Sequence, residues 1–325
     1  MKIGVIGGGS WGTALAIALR KASHEISICV RSEEICHEIN QFHTNNRYLP
    51  NIKLPSDIKA YNDLKHIIDQ DVILLVIPAQ SIYNLCVELK NLKLDPNKIL
   101  IICSKGIEKN SLKLMSEVIS DVLPHNPVAV LSGPNFALEV ALDMPAITSI
   151  SSSDSNLANS LSQFFTSSNF RVYPNDDIIG TQIVGAAKNV LAIATGVAIG
   201  KGYGENAKAA IISRGINEIS NLLLAKSGKI ETLLSPAGIG DIYLTCNSST
   251  SRNTSYGIAL GKGEAIDHTS LVEGVPTSES IMKLASLLKI QMPICQAVYK
   301  ITHENLSLEK AVQELLDRPL NDKRI

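Results

Sequence analysis

The run KIGVIGGGSWGTALAIALRKA, residues 2–22, decides the fold. It opens with a short apolar stretch of strand character and closes with a helical pattern, and between them lies Gly7-Gly8-Gly9-Ser10-Trp11-Gly12. That junction matches G-x-G-x-x-G in the strand–turn–helix setting the pattern requires. Gly7 permits a tight turn, Gly9 lets a pyrophosphate approach the backbone, and Gly12 lets helix and strand pack closely. The helix N-terminus faces the anion, with the amides of Ser10 and Trp11 as natural donors. A dinucleotide-binding turn is expected here; the alternative is a glycine-rich turn without a ligand.

Working outward, the first half alternates short apolar runs with helical patterns. EISICVR (25–31), DVILLVIPA (71–79) and KILIICSKG (98–106) read as strands, the last two as continuous apolar runs of the kind found in parallel strands covered on both faces. VAVLSGP (128–134), AITSI (146–150) and FRVYP (170–174) read as further strands, and SEEICHEINQF (32–42) as a helix. A Ser-rich loop leads into another helix at about Asp154. The alternation implies an α/β Rossmann-type domain with a doubly wound, mostly parallel sheet. After Pro174 only helical periodicity remains, in 206–228, 277–290 and 308–317. The expected division is therefore 1–177, NAD(P)-binding, and 178–325, an all-α substrate and catalytic domain.

Composition narrows the function classes. Of 325 residues, 45% are hydrophobic and 19% charged, with a formal net charge of −1, which argues for a folded chain and against general attraction to nucleic acid or anionic membrane. Aromatics at 4% argue against a stacking surface for nucleic acid. The six cysteines form no C-x-x-C and no zinc-like spacing with the dispersed histidines, so they read as reduced core thiols of a cytoplasmic protein, and no metal is expected. The N-terminus starts a strand at once, without the pattern of a signal peptide.

The segment IIGTQIVGAAKNVLAIATGVAIG (178–200) is long enough for a membrane span. It carries four glycines, Gln182, Asn189 and a central Lys188, and a mid-bilayer lysine costs roughly 2.5 kcal/mol or more. A buried helix is expected instead. A buried ammonium either needs an anionic partner, for which Asp241 is the candidate, or becomes a base near neutral pH. A lysine that reaches solvent is the alternative.

Other polar residues fall where ligands bind. Arg31 stands at the end of the second strand, where NAD-selective sites usually carry an acid; an arginine can receive a 2′-phosphate, which favours NADP(H) over NAD(H), and the alternative is a surface arginine beside Glu33 and Glu34. Lys105 lies just past a strand end, as a ligand contact or a surface lysine, and Gly133 and Asn135 sit where a loop enters a helix, as a ligand-binding loop or a simple turn. In LSPAGIGDIYLTCNSSTSRNTSYG (234–257), Asp241 is a candidate site carboxylate or a simple turn residue. Arg252 is a phosphate fork or a solvated surface residue.

Together these residues carry a family resemblance. GGGSWGTALA (7–16), NNRYLPNIKLP (45–55), VIPAQ (76–80), SKGIE (104–108), LSGPNFALE (131–139), GAAKNVLAIATG (185–196), NAKAAIISRG (206–215), AGIGDIYLTC (237–246), SRN (251–253) and VEGVPTSES (272–280) occur in that order. The chain resembles the NAD(P)-dependent glycerol-3-phosphate dehydrogenases of the soluble bacterial biosynthetic type. The resemblance implies reversible reduction of dihydroxyacetone phosphate to sn-glycerol 3-phosphate, a backbone precursor of phospholipids. It implies Lys188 as the proton acceptor in oxidation and donor in reduction, with Lys105 and Asp241 completing the catalytic set. Substrate contacts would come from Lys105, Gly133, Asn135, Lys188, Asn189, Asp241, Thr245, Ser251, Arg252 and Asn253. The cofactor would meet Gly7, Gly9, Ser10, Trp11, Gly12, Arg31, Lys105, Ala137, Arg252, Leu271 and Glu273. Asn135 departs from the Ser or Thr usual in the family, which alters the substrate contact without excluding it. A homodimer through helical surfaces is compatible with this reading. Another reductase of the same plan, or a silent NADP(H) sensor, are the rival readings; the second gives no reason for Lys188 and Asp241 together.

Overall fold

Val- and Ile-rich runs become strands here because a sheet covered on both faces buries every position along them. The computed structural model describes residues 1–265 and 272–317. Its backbone divides into two units, residues 1–105 with 113–178, and residues 106–112 with 179–325. The excursion at 106–112 is not contained in a single boundary at 177/178; within the second unit it is held where Ser280 Oγ donates to Ile107 O at 3.3 Å.

In the first unit, β1 (Lys2–Ile6) leads through the glycine turn into α1 (Ser10–Lys21), then β2 (Glu25–Cys29) and α2 (Glu33–Phe42). A small antiparallel hairpin, β3 (Thr44–Asn45) and β4 (Leu49–Lys53), precedes β5 (Lys59–Tyr61). Then come β6 (Val72–Leu75), α3 (Ile82–Asn91), β7 (Ile99–Ile102), α4 (Met115–Val122) and β8 (Val128–Ser132). The unit ends with α5 (Ala137–Ala141), β9 (Ala146–Ser151), α6 (Ser155–Phe165) and β10 (Phe170–Asn175). The sheet order is β10-β9-β8-β7-β6-β1-β2-β5. All neighbours are parallel except β8 and β9, which pair antiparallel with Ser132 opposite Ser149.

The pleat sends alternate residues to opposite faces. Val72 and Leu74 join the core under α1 and α6, whereas Ile73 and Leu75 join the one under α3 and α4. The strand order reverses beside β1, which makes the C-terminal edge there the natural ligand crevice.

The second unit is helical among the described residues: α7 (Ile178–Gly200), α8 (Gly204–Ala225), α9 (Asp241–Asn247), α10 (Arg252–Lys262), α11 (Gly274–Leu288), α12 (Pro293–His303) and α13 (Leu308–Leu316). By length and composition α7 could cross a membrane, but 83% of its most apolar window is buried inside the protein. A helix apolar on every side belongs in a core. It meets α10 backbone to backbone. A Cβ on Gly196 would lie 2.9 Å from Gly257 Cα, and one on Gly200 would lie 2.9 Å from Gly261 Cα. The converse holds for Gly257 and Gly261, so two glycines spaced by four on each helix form a seam without side chains.

Buried Glu218 of α8 caps α12: Oε1 accepts from Ile294 N at 2.7 Å and Oε2 from Cys295 N at 3.1 Å. Charged caps on buried amides rank among the stronger hydrogen bonds. Glu218→Ala is expected to lower stability by about 2–3 kcal/mol, read as a reduced urea midpoint, with Glu218→Gln losing less.

All six cysteines are free, and all but half-buried Cys36 are buried. Burial pushes the thiols up, to about 11 at Cys29 and about 12 at Cys86 and Cys246.

Candidate active site

The first unit gathers its polar residues at the C-terminal ends of parallel strands. Gly7 has φ +119°, and any Cβ there would overlap Val76 O, so glycine is required; a Cβ on Gly12 would overlap Gly7 O. Gly9 differs, because a Cβ there meets nothing within 4 Å. Gly9 is also the N-cap of α1, without a side-chain cap and with no acidic residue in the first turn. An open face over uncapped helix amides fits the pyrophosphate of a dinucleotide.

The expected cofactor residues take distinct places around this turn. Ser10 Oγ donates to Tyr48 O at 2.8 Å, so the expected contribution of Ser10 to a ligand rests on its backbone N–H. Trp11 is half-buried against the core. Arg31 is exposed just past β2, and the neighbouring Ser32 hydroxyl caps α2 by accepting from Ile35 N. Ala137 opens α5.

Lys105 is half-buried three residues past β7, on a segment fixed by Ser104 Oγ donating to Ile77 O at 2.6 Å. Gly133 follows β8 and lies against Thr148, since a Cβ there would sit 2.7 Å from Thr148 Cα. Asn135 Nδ2 donates to Ile147 O at 2.9 Å and Pro134 O at 3.0 Å. Two carbonyl neighbours fix the amide orientation, and Asn135 Oδ1 is left as a buried acceptor without a partner. Where a hydroxyl can donate or accept, this asparagine therefore presents an acceptor.

The second unit brings three of the expected residues into contact. Lys188 is 6% exposed and Asp241 1% exposed. Lys188 Nζ donates to Asp241 Oδ1 at 2.5 Å and to Thr245 Oγ1 at 2.6 Å. The local sequence explains the meeting: an irregular turn at Pro236–Gly240 delivers Asp241 as the first residue of α9. Thr245 follows four positions later on the same helical face. Of the readings open in sequence, the paired ammonium is the one observed; the lysine that reaches solvent is not. Asp241 is a partner of Lys188 and does not serve as an N-cap.

Neighbouring residues extend this cluster. Thr254 Oγ1 donates to Thr245 O at 2.5 Å, tying the first turn of α10 to α9. Ser251 is the N-cap of α10, Arg252 is exposed on its first turn, and Asn253 Oδ1 accepts from Gly274 N at 2.9 Å. Asn253 is thus tied through its oxygen to the start of α11, which leaves Nδ2 as its side-chain donor for a ligand. Asn189 is buried, with its carbonyl 2.6 Å from where a Gly274 Cβ would stand. Leu271 lies outside the described residues. Sequence reasoning missed Thr254 and Gly274. The first sits three residues after a serine cap, but its bond to Thr245 depends on tertiary packing.

Burial pushes the Glu273 carboxyl up to about 7, against the Arg252 guanidinium, which pulls it down. A raised acid pKa means that the folded chain holds its proton more tightly than the unfolded one. Stability is then greatest below the unfolded value near 4.5 and falls as pH rises through about 7. Glu273→Gln is expected to be more stable than the parent at pH 8 by about 2 kcal/mol, a difference that vanishes toward pH 5. Urea titrations of both proteins at the two pH values measure it.

Comparison with known proteins agrees with these features. Residues 2–158 match the family model of the NAD-dependent glycerol-3-phosphate dehydrogenase N-terminus, and residues 177–313 match that of the C-terminus. A glycerol-3-phosphate dehydrogenase [NAD(P)+] of Brucella canis is 42% identical over 320 residues, covering 98% of each chain. One from Clostridium acetobutylicum is 42% identical over 319 residues, covering 96% of each. The crystal structure of glycerol-3-phosphate dehydrogenase from Coxiella burnetii superposes with a TM-score of 0.91 at 38% identity, covering 98% of this chain and 99% of that one. The chain belongs to the NAD-dependent glycerol-3-phosphate dehydrogenase family.

Proposed function

We propose that the chain reversibly reduces dihydroxyacetone phosphate to sn-glycerol 3-phosphate, with Lys188 moving the proton. The observation that carries this reading is the buried cluster of Lys188, Asp241 and Thr245. When bound, NAD(P)H supplies the hydride. Lys188 Nζ delivers a proton to the oxygen of the carbon that is reduced, and takes it back in oxidation. Asp241 supplies the counter-charge that a buried ammonium needs and, with Thr245, fixes where Nζ points. The positive charge also stabilises the forming alkoxide.

The remaining assignments rest on placement and resemblance. Arg252, with the capped start of α10, offers a guanidinium fork and helix amides to the substrate phosphate; Ser251 and Asn253 flank it. Lys105, Gly133, Asn135 and Asn189 complete the substrate contacts. Gly7, Gly9, Gly12, Ser10, Trp11, Arg31, Lys105, Ala137, Leu271 and Glu273 serve the cofactor. Arg31 at the end of β2 favours NADP(H), with NAD(H) also used. Residues 1–177 serve the cofactor and 178–325 the substrate. The product feeds phospholipid synthesis, the setting is the cytoplasm, and a homodimer fits the helical half.

An assay with a paired substrate tests the reading. Dihydroxyacetone phosphate should drive NAD(P)H oxidation, and dihydroxyacetone, which lacks the phosphate, should lose about 100-fold or more in kcat/KM because remote binding energy assists the chemical step. Absence of oxidation with the phosphorylated ketone refutes the proposal.

A further inference from the structure

NNRYLPNIKLP (45–55) follows α2 and contains the turn and second strand of the β3–β4 hairpin. We propose that its first residue, Asn45, is a positioning residue that locks the glycine turn in its cofactor-binding shape; this rests on the reading of that turn as the cofactor site. Asn45 is fully buried. Its Nδ2 donates to Gly8 O at 2.8 Å and to Thr13 Oγ1 at 2.8 Å, and the Thr13 hydroxyl lies 3.5 Å from Gly8 O. Gly8 O can only accept, which fixes Nδ2 as the atom facing it. Asn45 Oδ1 is buried without a partner, so the amide is present at a cost and its NH2 is the end in use.

The consequence follows from peptide geometry. Gly8 O and Gly9 N–H belong to one planar trans unit and point in opposite directions. That unit is flanked by glycine on both sides, where the backbone is least restricted. Holding Gly8 O stops this peptide from turning over and keeps Gly9 N–H aimed away from Asn45. Ser10 Oγ on Tyr48 O grips the turn from beyond Gly9, so residues 45–48 hold it on both sides of the open position.

The gripping segment is itself held. Glu38 Oε1 of α2 accepts from Thr44 Oγ1 at 2.8 Å, Asn46 N at 2.9 Å and Asn46 Nδ2 at 2.9 Å, on either side of Asn45. Tyr48 N donates to Asn45 O at 3.1 Å, closing the tight turn. Asn45 is therefore delivered to Gly8 by a braced hairpin.

Trp11 is the single tryptophan of the chain and sits in the first turn of α1, directly after the glycines, so its fluorescence reports NADPH binding without turnover. Asn45→Ala should raise the NADPH dissociation constant, and the KM for NADPH with it, by about tenfold or more. The KM for dihydroxyacetone phosphate and kcat at saturating cofactor should stay within about twofold, a split that general damage to the fold does not produce. Thr13→Val, which keeps the volume and removes the hydroxyl, should raise the dissociation constant about threefold or more, and decides the question if Asn45→Ala does not fold. Gly9→Val fills the open position and tests the site itself. If it leaves NADPH binding intact, the cofactor reading of the turn falls. If it removes binding while Asn45→Ala, or Thr13→Val in its place, stays within twofold of the parent, the positioning role is overturned and the site stands.

Discussion

Lys188→Met should lower kcat for dihydroxyacetone phosphate reduction by about a thousandfold or more. Two losses combine: proton transfer by a positioned group, worth about 10²–10⁴, and the positive charge beside the forming alkoxide. Methionine replaces most of the aliphatic stem, so packing in α7 changes little. What remains is Asp241, 1% exposed and without the ammonium of Lys188 beside it. Breaking a buried ion pair from one side costs about 3–5 kcal/mol. The single variant should therefore be both inactive and less stable. Adding Asp241→Asn removes the buried carboxylate charge and should recover most of the stability with none of the turnover. NADPH binding at the glycine turn, followed through Trp11, should be retained in both. Turnover within tenfold of the parent would remove Lys188 from the proton step.

Gly257→Val should lower the melting temperature by about 5 °C. A Cβ on Gly257 runs into Ile193 O and comes within 2.9 Å of Gly196 Cα, and both are backbone atoms of α7. No rotamer change relieves a clash with backbone, so the two helices must separate. Overpacking a close contact costs about 1–3 kcal/mol, and more where nothing can yield. For a protein of this size each kcal/mol moves the melting temperature by about 1.5 °C. The damage should extend to activity. The helix α7 carries Lys188, and α10 begins with Ser251, Arg252 and Asn253. A wider seam moves one set relative to the other, so the KM for dihydroxyacetone phosphate should rise in the fraction that remains folded. Calorimetry and steady-state kinetics on the same preparation read both effects; an unchanged melting temperature would contradict the seam.

The seam also shows where sequence reading stops. Gly196 and Gly200 are spaced by four, as are Gly257 and Gly261. Within α7 alone they count only against a bilayer span; their use depends on a partner helix that no local pattern identifies. The positions of β1, β2 and β6 to β10 were legible because apolar runs of four to six residues between turn signals have few other uses, whereas the short β3, β4 and β5 carry no such run and were not read. Strand direction was not legible. AITSI reads as a strand either way, and β9 runs antiparallel to β8. Pairing direction depends on how residues 133–145, which join β8 to β9, cross the sheet, and no local pattern in them records it. Lys188 was legible because one charge in an apolar run needs a reason. That Asp241 answers it followed from resemblance and chemistry, whereas Thr245 as a second acceptor depends on the turn at Pro236–Gly240. Asn45 stood in a quoted motif with no stated role, because a side chain that holds a backbone carbonyl leaves no periodic trace.

The burial of the thiols has a practical side. Alkylating reagents attack the thiolate, and a buried thiol whose pKa is pushed up to about 11 or 12 offers almost none at neutral pH. Cys36, on the second helix of the first unit, is the one cysteine that reaches the surface in part. A spectroscopic label can be attached there without first removing the other five, and it would sit on the element whose Glu38 braces the hairpin behind the glycine turn.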